Sequence, residues 1–191
     1  MALVAVGACA PRNAPVAGVD PGGGHEAHPG DAGAHWLYAW TASADTMHRA
    51  AFLAVIEPRA GSPTAGRVVR VVNTGPGARG THHTEHQLQP DRLLFANDFG
   101  AGHSFVFDLN DPAHPVIHAR FTTAGPYGWP HSFVRLPNGN RLVTYQWQAT
   151  KFNSPPGGIA EVRTDGSIVR WASARTSDAP DGEITPYSLE I

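Results

Sequence analysis

The sequence predicts an all-β protein built from repeated units, and three observations carry this prediction. From residue 35 onwards, short runs of β-branched and aromatic residues alternate with turn signals at spacings of roughly ten residues. No stretch shows a convincing helical period. A segment of strand, polar turn and strand occurs twice, beginning at His83 and again at His131. Four short strands per repeat are typical of the blades of a β-propeller.

Each strand is predicted from an apolar run bounded by turn residues, and residues 110–112 (Asn-Asp-Pro) and Asp165-Gly166 provide hairpin turns. The first unit has three strands and lacks an innermost one, the next two have four, and the last has an innermost strand only. The predicted strands are residues 35–40, 51–57 and 67–72; 83–88, 92–95, 104–109 and 115–121; 131–136, 141–144, 158–163 and 167–171; and 186–191.

These units amount to about three and a half blades, which leaves the arc open. An open arc exposes unpaired strand edges, which proteins normally cover. We therefore expect a longer closed molecule, of which this chain is an N-terminal part and to which the rest contributes the missing blades. An arc completed by another subunit and a small self-contained β domain are the alternatives.

The first 34 residues predict an exported, tethered protein. Val6-Gly7-Ala8-Cys9 resembles the end of a bacterial lipoprotein signal, in which Cys9 would be lipidated, although the run is short and lacks a basic region. Residues 10–34 are rich in Gly, Pro and Ala and are predicted to be a linker before the propeller at 35–191. The predicted location is the bacterial cell envelope, periplasmic or lipid-anchored. An Ala-rich N-terminus with an incidental cysteine is the alternative.

Charge and hydropathy limit the predicted partners. The net charge is −2, with both signs interspersed and no basic stripe, which argues against nucleic acid. No apolar run reaches the length of a membrane span, so contact with a membrane is expected only through the lipid anchor. The expected partner is a small-molecule substrate.

A histidine-rich stretch predicts a metal site. Side chains alternate along a strand, so His82 and His86 are expected on one face, and His83 and Glu85 on the other. His83 and His131 occupy equivalent positions of adjacent innermost strands, and His82 is expected to turn in from the preceding loop. Imidazoles that converge from different strands suit Cu, Zn, Ni or Fe. Glu85 and His86 are predicted to support these ligands from outside. The alternative is that the histidines bond only to backbone or water.

These motifs resemble those of the selenium-binding protein family, which includes bacterial methanethiol oxidases. The resemblance rests on the His82-His83 pair, the turn at 108–112, Pro130-His131-Ser132, the turn at 136–139 and residues 186–189. It covers roughly residues 35–191. It implies a seven-bladed propeller with a copper site in which His82, His83 and His131 are ligands and a later blade adds another histidine. The family's cysteine after the His pair is absent here, so selenium binding by cysteine is not implied.

Three functions are compatible with this fold, and the fold alone does not distinguish between them. The first is a copper-dependent oxidoreductase that oxidises a small thiol such as methanethiol. The second is a non-enzymatic binding or scaffold propeller anchored at the envelope. The third is an arylsulfotransferase-like propeller with a nucleophilic histidine, because strands that read His and then Leu-Pro-Asn-Gly-Asn occur there too. That enzyme needs no metal, so metal content separates it from the first.

Overall fold

The computed structural model describes residues 36–44, 50–77, 80–178 and 184–191, and this part of the chain is almost entirely β-strand. The strands are β1 (Leu37–Ala42), β2 (Ala50–Ile56), β3 (Val68–Pro76), β4 (Thr81–Thr84), β5 (Leu93–Asp98), β6 (His103–Asp108), β7 (Val116–Phe121), β8 (Tyr127–Arg135), β9 (Arg141–Gln148), β10 (Gly158–Val162) and β11 (Ile168–Ser173). A short 3₁₀ helix, Phe99–Ala101, follows β5. Within the described ranges, no helix is long and apolar enough to cross a membrane. The predicted linker and Cys9 lie outside them.

The strands form three antiparallel sheets in chain order. The first sheet is β1-β2-β3, the middle sheet is β4-β5-β6-β7, and the third sheet is β8-β9-β10-β11. The leading strand of the middle sheet, β4, contacts both β1 and β8. The predicted all-β class and the division into three, four and four strands are therefore confirmed. This arrangement is consistent with neighbouring blades of a β-propeller.

Two of the predicted strands depart most from the structure. The strand expected over residues 83–88 is β4, which begins at Thr81 and ends at Thr84. The innermost strand expected over 186–191 is not formed, and residues 184–191 are irregular. Here the backbone bonds to scattered partners: Gly157 N–H donates to the Ile184 carbonyl, and side chains of the third sheet donate to the Tyr187 carbonyl.

The middle sheet is covered on both faces, which explains its continuous apolar strands. Every residue of β5 is buried. Because side chains alternate along a strand, Leu93 and Phe95 enter the core shared with the third sheet, and Leu94 and Ala96 enter the core shared with the first sheet. Trp40 packs against the core shared with the first sheet, where its ring lies 5.7 and 5.6 Å from the rings of Phe105 and Phe107.

A buried arginine ties the third sheet to the middle sheet. Arg141 of β9 has no exposed side-chain surface and pairs with Glu85 at 2.6 Å and with Asp91 at 2.8 Å. Its guanidinium also lies 4.7 Å from the centre of the Phe95 ring. Burial raises the pKa of Asp91, but hydrogen bonds from Arg141 and the Leu93 N–H outweigh it and leave that pKa below its ordinary value.

The lowered pKa of Asp91 predicts a contribution to stability that depends on pH. The ion pair stabilises the folded chain above the ordinary carboxyl value of 3.8, and the contribution is lost as the pH falls through the lower folded-state pKa. We expect Asp91→Asn to cost roughly 1 kcal/mol at pH 7, because the pair is partly screened by solvent. Urea unfolding at pH 7 and at pH 2.5 checks this, and an equal loss at both would contradict it.

Candidate metal centre

Three histidine side chains from two neighbouring strands converge at one point. His82 and His83 lie on β4 and His131 lies on β8, and one ring nitrogen of each lies within 4.8 Å of the other two. The rings of His82 and His83 stack with centroids 4.1 Å apart, and the His131 ring meets them edge-on at 4.8 and 4.5 Å. The fold thus brings together the three residues that the sequence predicted as ligands.

A β-bulge explains how two consecutive residues of one strand reach the same cluster. The pairing of β4 with β5 shifts between Thr81 and Thr84, so His82 and His83 together stand opposite Asn97 alone. Two residues opposite one break the strict alternation of side chains along a strand. His82 therefore belongs to β4, and its predicted placement in the preceding loop is wrong.

A second bulge lies in β8 at the third histidine. The pairing of β8 with β9 shifts between Pro130 and Phe133, so His131 and Ser132 stand opposite Thr144. The Ser132 N–H donates to the Thr144 hydroxyl at 3.0 Å, which replaces the ladder bond that the bulge removes. Each of the two bulges therefore turns the histidines of its strand towards the cluster. Bulges near functional sites often have this effect.

The hydrogen bonds of the cluster leave two ring nitrogens without partners. His131 Nδ1 lies 2.7 Å from the Tyr187 carbonyl oxygen, which accepts only, so Nδ1 carries the proton and Nε2 the lone pair. Within the described residues, the buried Nε2 atoms of His83 and His131 have no hydrogen-bond partner. An unpartnered buried nitrogen calls for an explanation, and a bound metal ion supplies one.

Burial keeps these imidazoles neutral. It lowers the pKa of His131 to about 4, partly opposed by the bond to the Tyr187 carbonyl. Desolvation also lowers the pKa of His82 and of His83, and in His83 the neighbouring His82 adds to the effect. Only the neutral imidazole offers a lone pair to a metal, so the cluster is in its ligand form at pH 7.

Aromatic side chains border the cluster. Phe99 lies edge-on to His82 and His131, at 5.5 and 5.1 Å between ring centres. The Tyr187 ring lies 4.2 Å from that of His131 and 5.9 Å from that of His83. On the side of His82, a cleft of about 540 Å³ with both polar and apolar lining opens between the first and middle sheets. The cluster therefore lies beside aromatic rings and a cleft of mixed polarity with room for a small molecule.

The two predicted supporting residues lie in different surroundings. The Glu85 carboxylate accepts hydrogen bonds from Arg141 and from the Phe95 N–H. His86 is exposed and lines the cleft next to His82. Their supporting roles therefore stay predictions.

Three further histidines lie away from the cluster. His114 is exposed and pairs with Asp111 beside it, and His118 is exposed on β7. His103 begins β6, which pairs with β5 on the side opposite β4. Among the described residues, the group of side chains close enough to share an ion therefore does not include them.

Sequence reasoning missed four residues that touch the ligands or the strands bearing them: Asn97, Phe99, Thr144 and Tyr187. Asn97 carried a signal, because asparagine is depleted in strands and here follows the apolar run Leu-Leu-Phe-Ala. Tyr187 lies in the motif at 186–189, but the bond of its backbone carbonyl to His131 could not be read from residue type.

The donor set fits a transition metal. Three neutral imidazoles offer nitrogen donors, which suit Cu, Zn, Ni and Fe better than Mg or Ca. The unpartnered Nε2 atoms of His83 and His131 and the fixed tautomer of His131 support the same conclusion. The residues that would hold the ion are His82, His83 and His131.

Comparisons with known proteins identify relatives of the chain. No protein-family model matches it. It is 29% identical over 124 residues to a methanethiol oxidase of a Hyphomicrobium species, covering 63% of this chain and 28% of that protein. It is 27% identical over 158 residues to a methanethiol oxidase of Ruegeria pomeroyi, covering 78% and 35%. The chain thus spans about a third of the length of these relatives.

A solved structure shares the fold. The hypothetical selenium-binding protein of Sulfolobus tokodaii superimposes with a TM-score of 0.55 at 16% identity, over 70% of this chain and 33% of that one. At this identity the likeness concerns the fold alone. Taken with the two methanethiol oxidases, it confirms the resemblance to the selenium-binding protein family that the motifs indicated.

Proposed function

We propose that His82, His83 and His131 bind copper, and that the whole protein oxidises a small thiol of the methanethiol class. One observation carries the proposal: three ring nitrogens from two strands lie within 4.8 Å of one another. The relatives named methanethiol oxidase support the choice of reaction. Copper is the member of the transition-metal series with the highest affinity for such nitrogen donors.

Each residue at this site has its own role in the proposal. His83 and His131 would offer their buried, unpartnered Nε2 atoms to the ion, and the Tyr187 carbonyl fixes the tautomer and orientation of His131. Phe99 and Tyr187 border the cluster with their aromatic rings. Bound copper would supply a centre that exchanges single electrons. Dioxygen is the acceptor in the proposed overall reaction.

Apolar side chains on one wall of the cleft beside His82 support a small substrate that carries an apolar group. Tyr38, Trp40 and Leu53 line it on one side, and His86 lies on the other. The Tyr38 hydroxyl and the Trp40 N–H donate to backbone carbonyls, of Pro112 and Asn97, and so present mainly their apolar surfaces. A methyl group and a polarisable sulfur suit such a surface, because sulfur packs well against aromatic rings.

The rest of the molecule enters the proposal by analogy with the relatives. The three sheets are proposed to be blades of a seven-bladed propeller, and a later blade is proposed to add a further histidine. Lipidation at Cys9 and a place in the bacterial cell envelope are proposed from the sequence near the N-terminus.

Copper analysis of the purified chain tests the proposal. We expect stoichiometric copper, and binding at least ~100-fold weaker in His83→Ala/His131→Ala, because even loss of an outer supporting residue costs about 10–100-fold. Elemental analysis and competition titration with a chelator measure both quantities. The matched control is His114→Ala/His118→Ala, which also removes two histidines but from exposed positions.

The outcomes separate the competing functions. Copper lost in the cluster variant but retained in the surface variant supports the proposal and justifies a thiol oxidation assay on the full-length protein. If the unmodified chain holds no more transition metal than the cluster variant, the proposal is wrong. A scaffold or a metal-free transferase is then the better account.

A further inference from the structure

We propose that Asn97 is a positioning residue that sets the spacing between the histidines of β4 and the histidine of β8. This inference rests on the proposed metal site and adds a residue to it. Asn97 lies on β5 and is fully buried. It stands directly opposite the bulge of β4 that holds His82 and His83. Its side chain bonds to both strands that carry the ligands.

On one side, Asn97 holds the bulge of β4. Its Oδ1 accepts the backbone N–H of His83 at 2.5 Å. That N–H lies in the stretch where the ladder between β4 and β5 is interrupted. The amide oxygen therefore replaces a backbone acceptor and keeps His82 and His83 on the same side of the strand.

On the other side, Asn97 holds β8. Its Nδ2 donates to the carbonyl oxygens of Pro130 and His131, at 2.9 and 3.0 Å. Both N–H groups of the amide are thereby used on the backbone around the third ligand. Since β8 belongs to the third sheet, this side chain joins two sheets at the point where their histidines meet.

The orientation of the amide is determined by these bonds. A flip would place the amide oxygen against two carbonyls and the NH₂ group against the His83 N–H, so all three bonds would be lost. The Asn97 carbonyl accepts from Trp40 Nε1 at 2.7 Å, and this backbone bond to the first sheet does not depend on the side chain. Side-chain substitutions therefore affect the ligand strands while leaving the tie to Trp40 in place.

Asn97→Ala and Asn97→Asp test the role in two ways. The alanine variant removes all three bonds. The aspartate variant keeps an acceptor for the His83 N–H but turns an oxygen towards the Pro130 and His131 carbonyls. The matched control is Thr74→Val, which removes a buried bond of 2.7 Å from the Thr74 hydroxyl to the Ala51 carbonyl in the first sheet.

The readout is Cu(II) affinity together with the Cu(II) electron paramagnetic resonance spectrum of the full chain. We expect the copper dissociation constant to rise about 10–100-fold in both Asn97 variants, with altered hyperfine parameters. Thr74→Val should keep the affinity and the spectrum. Circular dichroism of the metal-free proteins checks that each variant is folded at the temperature of the titration.

Each other outcome counts against the inference. Unchanged affinity and spectrum in folded Asn97 variants would overturn it and leave the proposed copper site standing. Unfolding of both Asn97 variants where Thr74→Val stays folded would show that Asn97 serves the fold rather than the ligand spacing. If the unmodified chain binds copper no better than His83→Ala/His131→Ala, the proposed function fails and this inference fails with it.

Discussion

Replacement of Arg141 by methionine is expected to lower the free energy of unfolding by about 3–5 kcal/mol, the usual cost of leaving a buried charge without its partner. Arg141 has no exposed surface and donates to Glu85, Asp91 and the Gly139 carbonyl. Glu85 is also buried, and burial raises the pKa of its carboxyl while hydrogen bonds from Arg141 oppose that rise. Without the Arg141 guanidinium, the Phe95 N–H would be the one hydrogen-bond donor left to the Glu85 carboxylate among the residues that the structure describes.

Urea unfolding followed by circular dichroism measures the effect. Arg170→Met is the matched control: Arg170 pairs with Glu161 but is 79% exposed, so its loss should change stability far less. The double variant Arg141→Met/Glu85→Gln should recover part of the loss, because it removes the buried charge. A double variant less stable than Arg141→Met alone would contradict this explanation.

Substitution of alanine for Gly157 is expected to destabilise the third sheet by about 3 kcal/mol, at the upper end of the usual cost of overpacking. A Cβ atom at this position would overlap the backbone carbonyl oxygens of Tyr145 and Gln146 in β9. Backbone atoms of a central strand cannot move aside as a flexible side chain can. The Gly157 N–H also donates to the Ile184 carbonyl at 2.8 Å.

Copper affinity should fall together with stability in Gly157→Ala. The Ile184 carbonyl anchors the segment that carries Tyr187, and the Tyr187 carbonyl orients His131. Thermal unfolding and copper titration measure the two effects. Gly80→Ala is the control, because its Cβ would meet nothing closer than the Gly100 nitrogen at 4.0 Å. Equal stability of the two variants would show that the backbone around Gly157 has room to adjust.

Most of the sheet architecture could be predicted from local patterns. Runs such as Leu-Leu-Phe-Ala before Asn97, and hairpin residues such as Asp165-Gly166, carry strand and turn signals in a few consecutive residues. Gly166 has a φ of 82°, and its N–H closes the predicted turn onto the Arg163 carbonyl. The strand predicted over residues 186–191 is not formed, because a suitable run of residues does not by itself supply the backbone partners of a ladder.

The candidate site could be predicted only in part. The repeat placed His83 and His131 in adjacent leading strands, and the structure brings their rings to 4.5 Å. The contacts of Glu85 could not be predicted, because its partner Arg141 lies 56 residues away. Asn97, which bonds to both ligand strands, was missed because its importance lies in which backbone groups surround it.

The sequence by itself determined the all-β class, the repeat and the three histidines, since residue type and spacing express these directly. Only the tertiary structure decided that His82 joins His83 on one side of β4, because a bulge depends on a shift of one residue in the pairing with β5. It also decided which nitrogen of His131 is free, because the Tyr187 carbonyl that settles this comes from a distant segment. Register and backbone partners arise between strands, and no single strand encodes them.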